Sequence, residues 1–179
     1  MRTLLLAVAM TLSASAADPG KVLVVTGASS GIGRAVAEEG AARGFRVVLS
    51  DKDVKGAEEA ASEIRKKGGT ALVVRADVSV DADRAALLAA STAAFGGVDL
   101  LINNAGYGYL AATERLSLED AHKMFEVNYW AMVDLSRRAL GIMRKPKGGT
   151  VMNVGSVLGL TPGLPESAQY AATKHAIVG

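Results

Sequence analysis

Tyr170 and Lys174 stand four residues apart in Tyr-Ala-Ala-Thr-Lys, the spacing that projects two side chains from one face of a helix. The pairing makes chemical sense. A free tyrosine has a pKa of about 10, too high for a base at neutral pH. A fixed ammonium nearby favours the phenolate. A tyrosine so poised takes a proton from an alcohol or gives one to a carbonyl. Fourteen residues before Tyr170, Gly155-Ser156 closes a short apolar run, and the Ser156 hydroxyl is placed to hydrogen-bond the reacting oxygen. A Tyr-x-x-x-Lys pair can also be an ordinary surface pair. Here it converges with two other features on one edge of one sheet.

The first is Thr26-Gly27-Ala28-Ser29-Ser30-Gly31-Ile32-Gly33, which joins an apolar strand to an amphipathic helix. Glycines at such a turn let the backbone approach a pyrophosphate, and the free amides of the helix start favour negative charge. Gly27, Ser29, Ser30, Gly31, Ile32 and Gly33 are therefore candidate cofactor contacts. Asp51 lies 18 residues beyond Gly33, at the end of the next strand, about where an acid meets the ribose hydroxyls. A carboxylate there attracts free hydroxyls and repels a 2′-phosphate, which favours NAD over NADP; Lys52 and Arg34 pull the other way. Asp77 and Val78 follow the third strand. They either meet the adenine edge, or Asp77 N-caps the following helix. The second feature is Asn103-Asn104-Ala105-Gly106, where small residues and side-chain amides admit a flat ligand.

The elements that must position these groups alternate. Val22 to Val25, Arg46 to Ser50, Ala71 to Arg75, Val98 to Asn103 and Thr150 to Val154 read as strands. Between them, residues 32–43, 54–67 and 81–95 have helical spacing, Leu118 to Met143 reads as one long helix, and a last helix starts near Ser167. Strands alternating with helices predict βαβ units: an α/β, Rossmann-like, doubly wound parallel sheet with ligands at its carboxyl edge.

Taken together and in order, Thr26-Gly-x-x-x-Gly-x-Gly33, Asn103-Asn-Ala-Gly106, Asn128 in Val127-Asn128-Tyr129, Ser156 and Tyr170-x-x-x-Lys174 resemble the motifs of the short-chain dehydrogenase/reductase family. The resemblance runs from about Lys21 to Gly179. It implies an oxidoreductase that uses NAD or NADP to interconvert a secondary alcohol and a ketone. It further implies a Ser156–Tyr170–Lys174–Asn128 catalytic set, with Asn128 steadying a water that leads to Lys174. Lys174 and Tyr170 would also hold the nicotinamide ribose, and Asn104, Ala105 and Gly106 would line the cofactor. Members of the family usually continue for two more strands and a substrate-covering loop. The expectation is thus an NAD(P)-binding domain over residues 19–179 lacking its C-terminal strands, forming a homo-oligomer at full length. A non-catalytic dinucleotide-binding fragment or scaffold is the alternative. His175 reads as a surface residue and Trp130 as a packing residue.

Composition narrows the field. Twenty Lys and Arg against 18 Asp and Glu, interleaved, leave no basic run for nucleic acid. With no cysteine and only His122 and His175, a thiolate site is excluded and a zinc site of His and Cys nearly so. No metal site is expected; the partner is a small alcohol or ketone. Arg2, an apolar stretch to Leu12 and Ala14-Ser15-Ala16 have the layout of a signal peptide. Residues 1–18 are read either as that or as a leader before a cytoplasmic domain. The cytoplasmic reading is the expectation, and export or membrane association through residues 1–18 is the alternative.

Overall fold

A computed structural model describes residues 20–108, 111–143 and 148–179, so the leader expected over residues 1–18 lies outside the described residues. Five strands form one sheet: β1 (Val22–Thr26), β2 (Arg46–Asp51), β3 (Thr70–Arg75), β4 (Leu100–Asn103) and β5 (Thr150–Asn153). Their order is β3-β2-β1-β4-β5 and every pairing is parallel. The doubly wound sheet expected from the alternation is what the chain forms.

Helices α1 (Gly31–Ala42), α2 (Val54–Lys66), α3 (Asp81–Phe95), α4 (Leu118–Phe125), α5 (Ala131–Met143) and α6 (Ala168–Val178) fill the connections. All five residues of β1, Val-Leu-Val-Val-Thr, are buried, as a central parallel strand covered on both faces requires. Successive side chains alternate between the faces. Val22, Val24, Val48 and Leu101 pack with Leu87 and Leu88 of α3 and Leu135, Ala139 and Met143 of α5. Leu23, Val25, Val47 and Leu49 pack on the other face with Ala37 of α1 and Ala60, Ala61 and Ile64 of α2.

One expected element is divided. The helix foreseen from Leu118 to Met143 carries a π-helical turn at Glu126–Trp130, where the Ala131 N–H reaches back to the Glu126 carbonyl. Such a turn admits one extra residue and often marks a functional site. It brings Asn128, only 2% exposed, inward toward α6. Among the described residues no helix is long and apolar enough to cross a membrane.

The strand order reverses at β1, with β2 on one side and β4 on the other. A crevice therefore opens at the carboxyl ends of these strands, the switch point where α/β sheets bind ligands.

Candidate active site

The crevice starts from the turn after β1. Gly27 and Gly31 have φ of +67° and +55°, a left-handed backbone that L side chains rarely adopt. The turn is fastened to β4. The Thr26 hydroxyl donates to the Ile102 carbonyl at 3.4 Å and accepts from the Asn104 and Ala105 amides, each at 3.1 Å. In return the Asn104 side-chain amide donates to the carbonyls of Thr26 (3.0 Å) and Gly27 (3.1 Å). At Gly33 a Cβ would land on the Gly27 carbonyl oxygen and the Asn104 amide, so only glycine lets α1 come this close. Asp51 closes the other side: one oxygen accepts from the Ser29 amide at 2.9 Å, the other from the Asp53 amide at 3.0 Å.

A cleft of about 1030 Å³ runs along this edge. Of the residues expected from the sequence, Gly27, Ser29, Ser30, Ile32, Asp51, Asp77, Val78, Asn104, Ala105, Gly106, Tyr170 and Lys174 line it. Four do not. Gly33 is buried beneath the turn, Gly31 is exposed beside it, Asn128 lies behind the wall, and Ser156 stands between the lining residues Gly155 and Leu158. Asp77 does not N-cap α3; that position is Val80, which offers no side-chain cap. Asp77 instead accepts from the hydroxyl and amide of Ser79, and those two bonds hold its carboxyl below the ordinary value. An Asx turn supplies the local bonding that a cap would otherwise have given.

Tyr170 and Lys174 line the same cleft. Lys174 Nζ donates to the Val154 carbonyl at 2.9 Å and sits 5.7 Å from the centre of the Tyr170 ring. Lys174 is 5% exposed, and that burial pushes its ammonium below the usual lysine value. Ser156 Oγ accepts from the Leu158 amide at 3.2 Å, capping the short turn Val157–Gly159. Accepting that bond leaves its hydroxyl proton available to a substrate oxygen.

The Asn128 side chain is fully engaged by protein. Its amide donates to the Tyr107 carbonyl (2.8 Å) and the Thr173 hydroxyl (3.0 Å), and its oxygen accepts from the Tyr107 amide (3.0 Å). This fixes the strand of chain that passes Tyr170, because a Cβ on Gly108 would strike the Tyr170 ring.

Below the part of the wall formed by Asp77 and Val78, Arg84 is 7% exposed. It donates to the Val78 carbonyl at 2.7 Å and Asp134 at 2.8 Å, and reaches Glu126 and Asp81. Burial raises the Asp134 carboxyl, but hydrogen bonds from Arg137, Arg84 and Arg138 outweigh it and hold the group at about 2.

With this geometry in hand, the relatives carry weight. A sequence model described as short chain dehydrogenase matches residues 21–179. The chain belongs to that family. The chain is 40% identical over 161 residues to a 3-oxoacyl-[acyl-carrier-protein] reductase of Vibrio cholerae, covering 89% of this chain and 64% of that protein. It is 37% identical over 160 residues to 3beta-hydroxysteroid dehydrogenase 1 of Eggerthella lenta, covering 88% and 61%. An uncharacterized oxidoreductase of Thermotoga maritima is 36% identical over 160 residues, covering 89% and 62%. The chain thus spans a little over three-fifths of the length of these relatives.

Several residues in and beside the cleft have roles that the sequence does not announce. Thr26 was read only as the first residue of the glycine-rich turn, although its hydroxyl organises the β1–β4 junction. Thr173 sits unremarked between Tyr170 and Lys174, and Tyr107 and Gly108 extend the Asn-Asn-Ala-Gly run as cleft wall. A polar residue at a buried position was the available signal in each threonine. Trp130, expected as a packing residue, packs its ring edge-to-face with Tyr129 while remaining 54% exposed. His175 is exposed, as expected of a surface residue.

Proposed function

We propose that this protein is an NAD(P)-dependent oxidoreductase that interconverts a secondary alcohol and a ketone, with Tyr170 as proton donor and acceptor. The observation that carries the reading is a single cleft lined by both the glycine turn and the Tyr170–Lys174 pair.

The residues present fit a dinucleotide. Left-handed Gly27 and open-sided Gly31 give a cradle that side chains would fill or strain, at the start of α1 where helix amides favour a pyrophosphate. Asp51, steadied by the Ser29 amide, meets ribose hydroxyls and favours NAD, and Lys52 beside it is the residue that opposes this preference. Asp77 and Val78 border the adenine side. When bound, the nicotinamide supplies the hydride acceptor or donor.

The chain's own residues handle the proton. The Tyr170 phenolic oxygen takes it from the alcohol in oxidation and returns it to the carbonyl oxygen in reduction. Ser156 donates its hydroxyl proton to that same oxygen and so holds it in place. Lys174 spends one of its three N–H donors on Val154. The positive charge it keeps near the ring favours the phenolate, and its remaining donors face the cleft it lines.

The test is calorimetric titration with NADH and NADPH, together with turnover on a panel of secondary alcohols and ketones. Tyr170→Phe is expected to lose about 100-fold or more in turnover while binding cofactor nearly as before. Lys174→Ala is expected to lose both. A Tyr170→Phe protein within a few-fold of the parent would sink the proton assignment, and a parent that binds neither cofactor would sink the whole reading.

A further inference from the structure

We propose that the Thr173 hydroxyl is a positioning group for Tyr170, setting the wall against which the tyrosine ring rests. The inference rests on the oxidoreductase reading for its activity readout and on geometry alone for its structural one.

Thr173 is fully buried, on α6 between Tyr170 and Lys174. Its hydroxyl donates to the Tyr170 carbonyl at 2.7 Å, a bond that helical threonines commonly make to the preceding turn. On its own that bond would be housekeeping. The same oxygen, however, also accepts from the Asn128 amide at 3.0 Å, from a residue 45 positions away on the π-helical turn.

These two bonds fix a direction. With its only proton committed to Tyr170, the Thr173 oxygen can meet Asn128 solely as an acceptor. The NH₂ end of the Asn128 amide must therefore face α6, and the same NH₂ also reaches the Tyr107 carbonyl. The oxygen end is left to accept the Tyr107 amide. Both backbone groups of Tyr107 are held by one amide in that same orientation, and Thr173 is the point at which that amide is anchored to α6. The consequence reaches the tyrosine through Gly106 and Gly108. A Cβ on Gly106 would sit 3.1 Å from Asn128 Oδ1, and one on Gly108 would strike the Tyr170 ring. One hydroxyl therefore ties α6 to the segment that walls the ring, while Lys174 Nζ lies 5.7 Å from the ring centre.

Thr173→Val keeps the shape and β-branching but can neither donate nor accept, whereas Thr173→Ser keeps both functions in a smaller side chain. In Thr173→Val turnover is expected to fall about 10- to 100-fold, the cost of misplacing a catalytic group by roughly an ångström. The NADH dissociation constant should stay within about twofold, because the glycine turn and Asp51 are fastened by other bonds (roughly the error of such a titration). Thr173→Ser should recover turnover to within a few-fold. Amide hydrogen exchange gives a readout free of catalysis: Tyr107 should exchange about tenfold faster in the valine variant and near the parental rate in the serine variant. Unchanged Tyr107 protection in Thr173→Val overturns the proposal whether or not the protein turns over. So does a serine variant as slow as the valine one, or a valine variant whose NADH affinity collapses along with its rate. A parent that binds no NADH while Tyr107 responds as stated would instead count against the oxidoreductase reading and leave the hydroxyl's role standing.

Discussion

Replacing Asp134 by asparagine removes the charge on which Arg84, Arg137 and Arg138 converge. Its carboxyl is held at about 2 against an ordinary 3.8, a difference worth at most about 2.5 kcal/mol. The side chain is 18% exposed and two of its three partners reach solvent, so screening leaves about 1–2 kcal/mol. The folded value lies below the unfolded one. The stabilisation is therefore complete above about pH 4 and shrinks as pH falls from there toward 2. In a chain of this size Asp134→Asn should lower the melting temperature by roughly 2–8 °C at pH 7. Calorimetric scans of both proteins from pH 7 down to pH 3 test this. The gap should hold steady to about pH 5 and begin to close below 4. A gap that is absent at pH 7, or undiminished at pH 3, refutes the idea that the ionised carboxylate is what the three guanidinium groups need.

Gly33→Ala drives a methyl into the Gly27 carbonyl and the Asn104 amide, and should cost about 1–3 kcal/mol by overpacking. A cofactor affinity lower by tenfold or more should accompany it; parental melting and affinity together would disprove the close approach. Asp51→Ala should narrow a preference for NADH over NADPH, read by titrating both. A parent that already prefers NADPH would mean that Lys52 outweighs the carboxylate.

The sheet was legible because parallel strands advertise themselves: Val22 to Val25 and Val47 to Leu49 are apolar runs bounded by turns, and both lie in the core. The π-helical turn was not. Met124, Asn128, Ala131 and Leu135 keep three- and four-residue spacing, so the buried stripe looks like that of one regular helix. The exception visible in sequence was an asparagine on that stripe. Cleft-lining positions followed from their strand ends, since Asp51, Asp77 and Asn104 each occur just where a strand stops. Orientation was beyond reach. Nothing in the spacing said that the Asn104 amide would turn back to the carbonyls of Thr26 and Gly27, or that the Asp77 carboxylate would fold onto Ser79. The Asn104 choice depends on partners 77 and 78 residues away, which no local pattern encodes, and the Asp77 choice on whether Ser79 or the start of α3 takes the carboxylate.

The central place of β1 has a consequence for how the chain acquires its shape. Val22 lies opposite Arg46 on one edge, but Leu23 lies opposite Leu100 on the other. As the polypeptide emerges during synthesis, β1, β2 and β3 can meet early, across short loops. The β4 edge must wait for many more residues and a larger loop-closure cost. Until β4 docks, the Thr26 hydroxyl has neither the Ile102 carbonyl nor the amides of Asn104 and Ala105, and the glycine turn is fastened from the β2 side alone, through Ser50 and Asp51. A half-sheet of three strands would therefore have its glycine turn only half fastened. A ligand that recognises the finished turn favours only chains in which β1 and β4 have joined. At a hundredfold excess over its dissociation constant it adds about 2.7 kcal/mol to that closure.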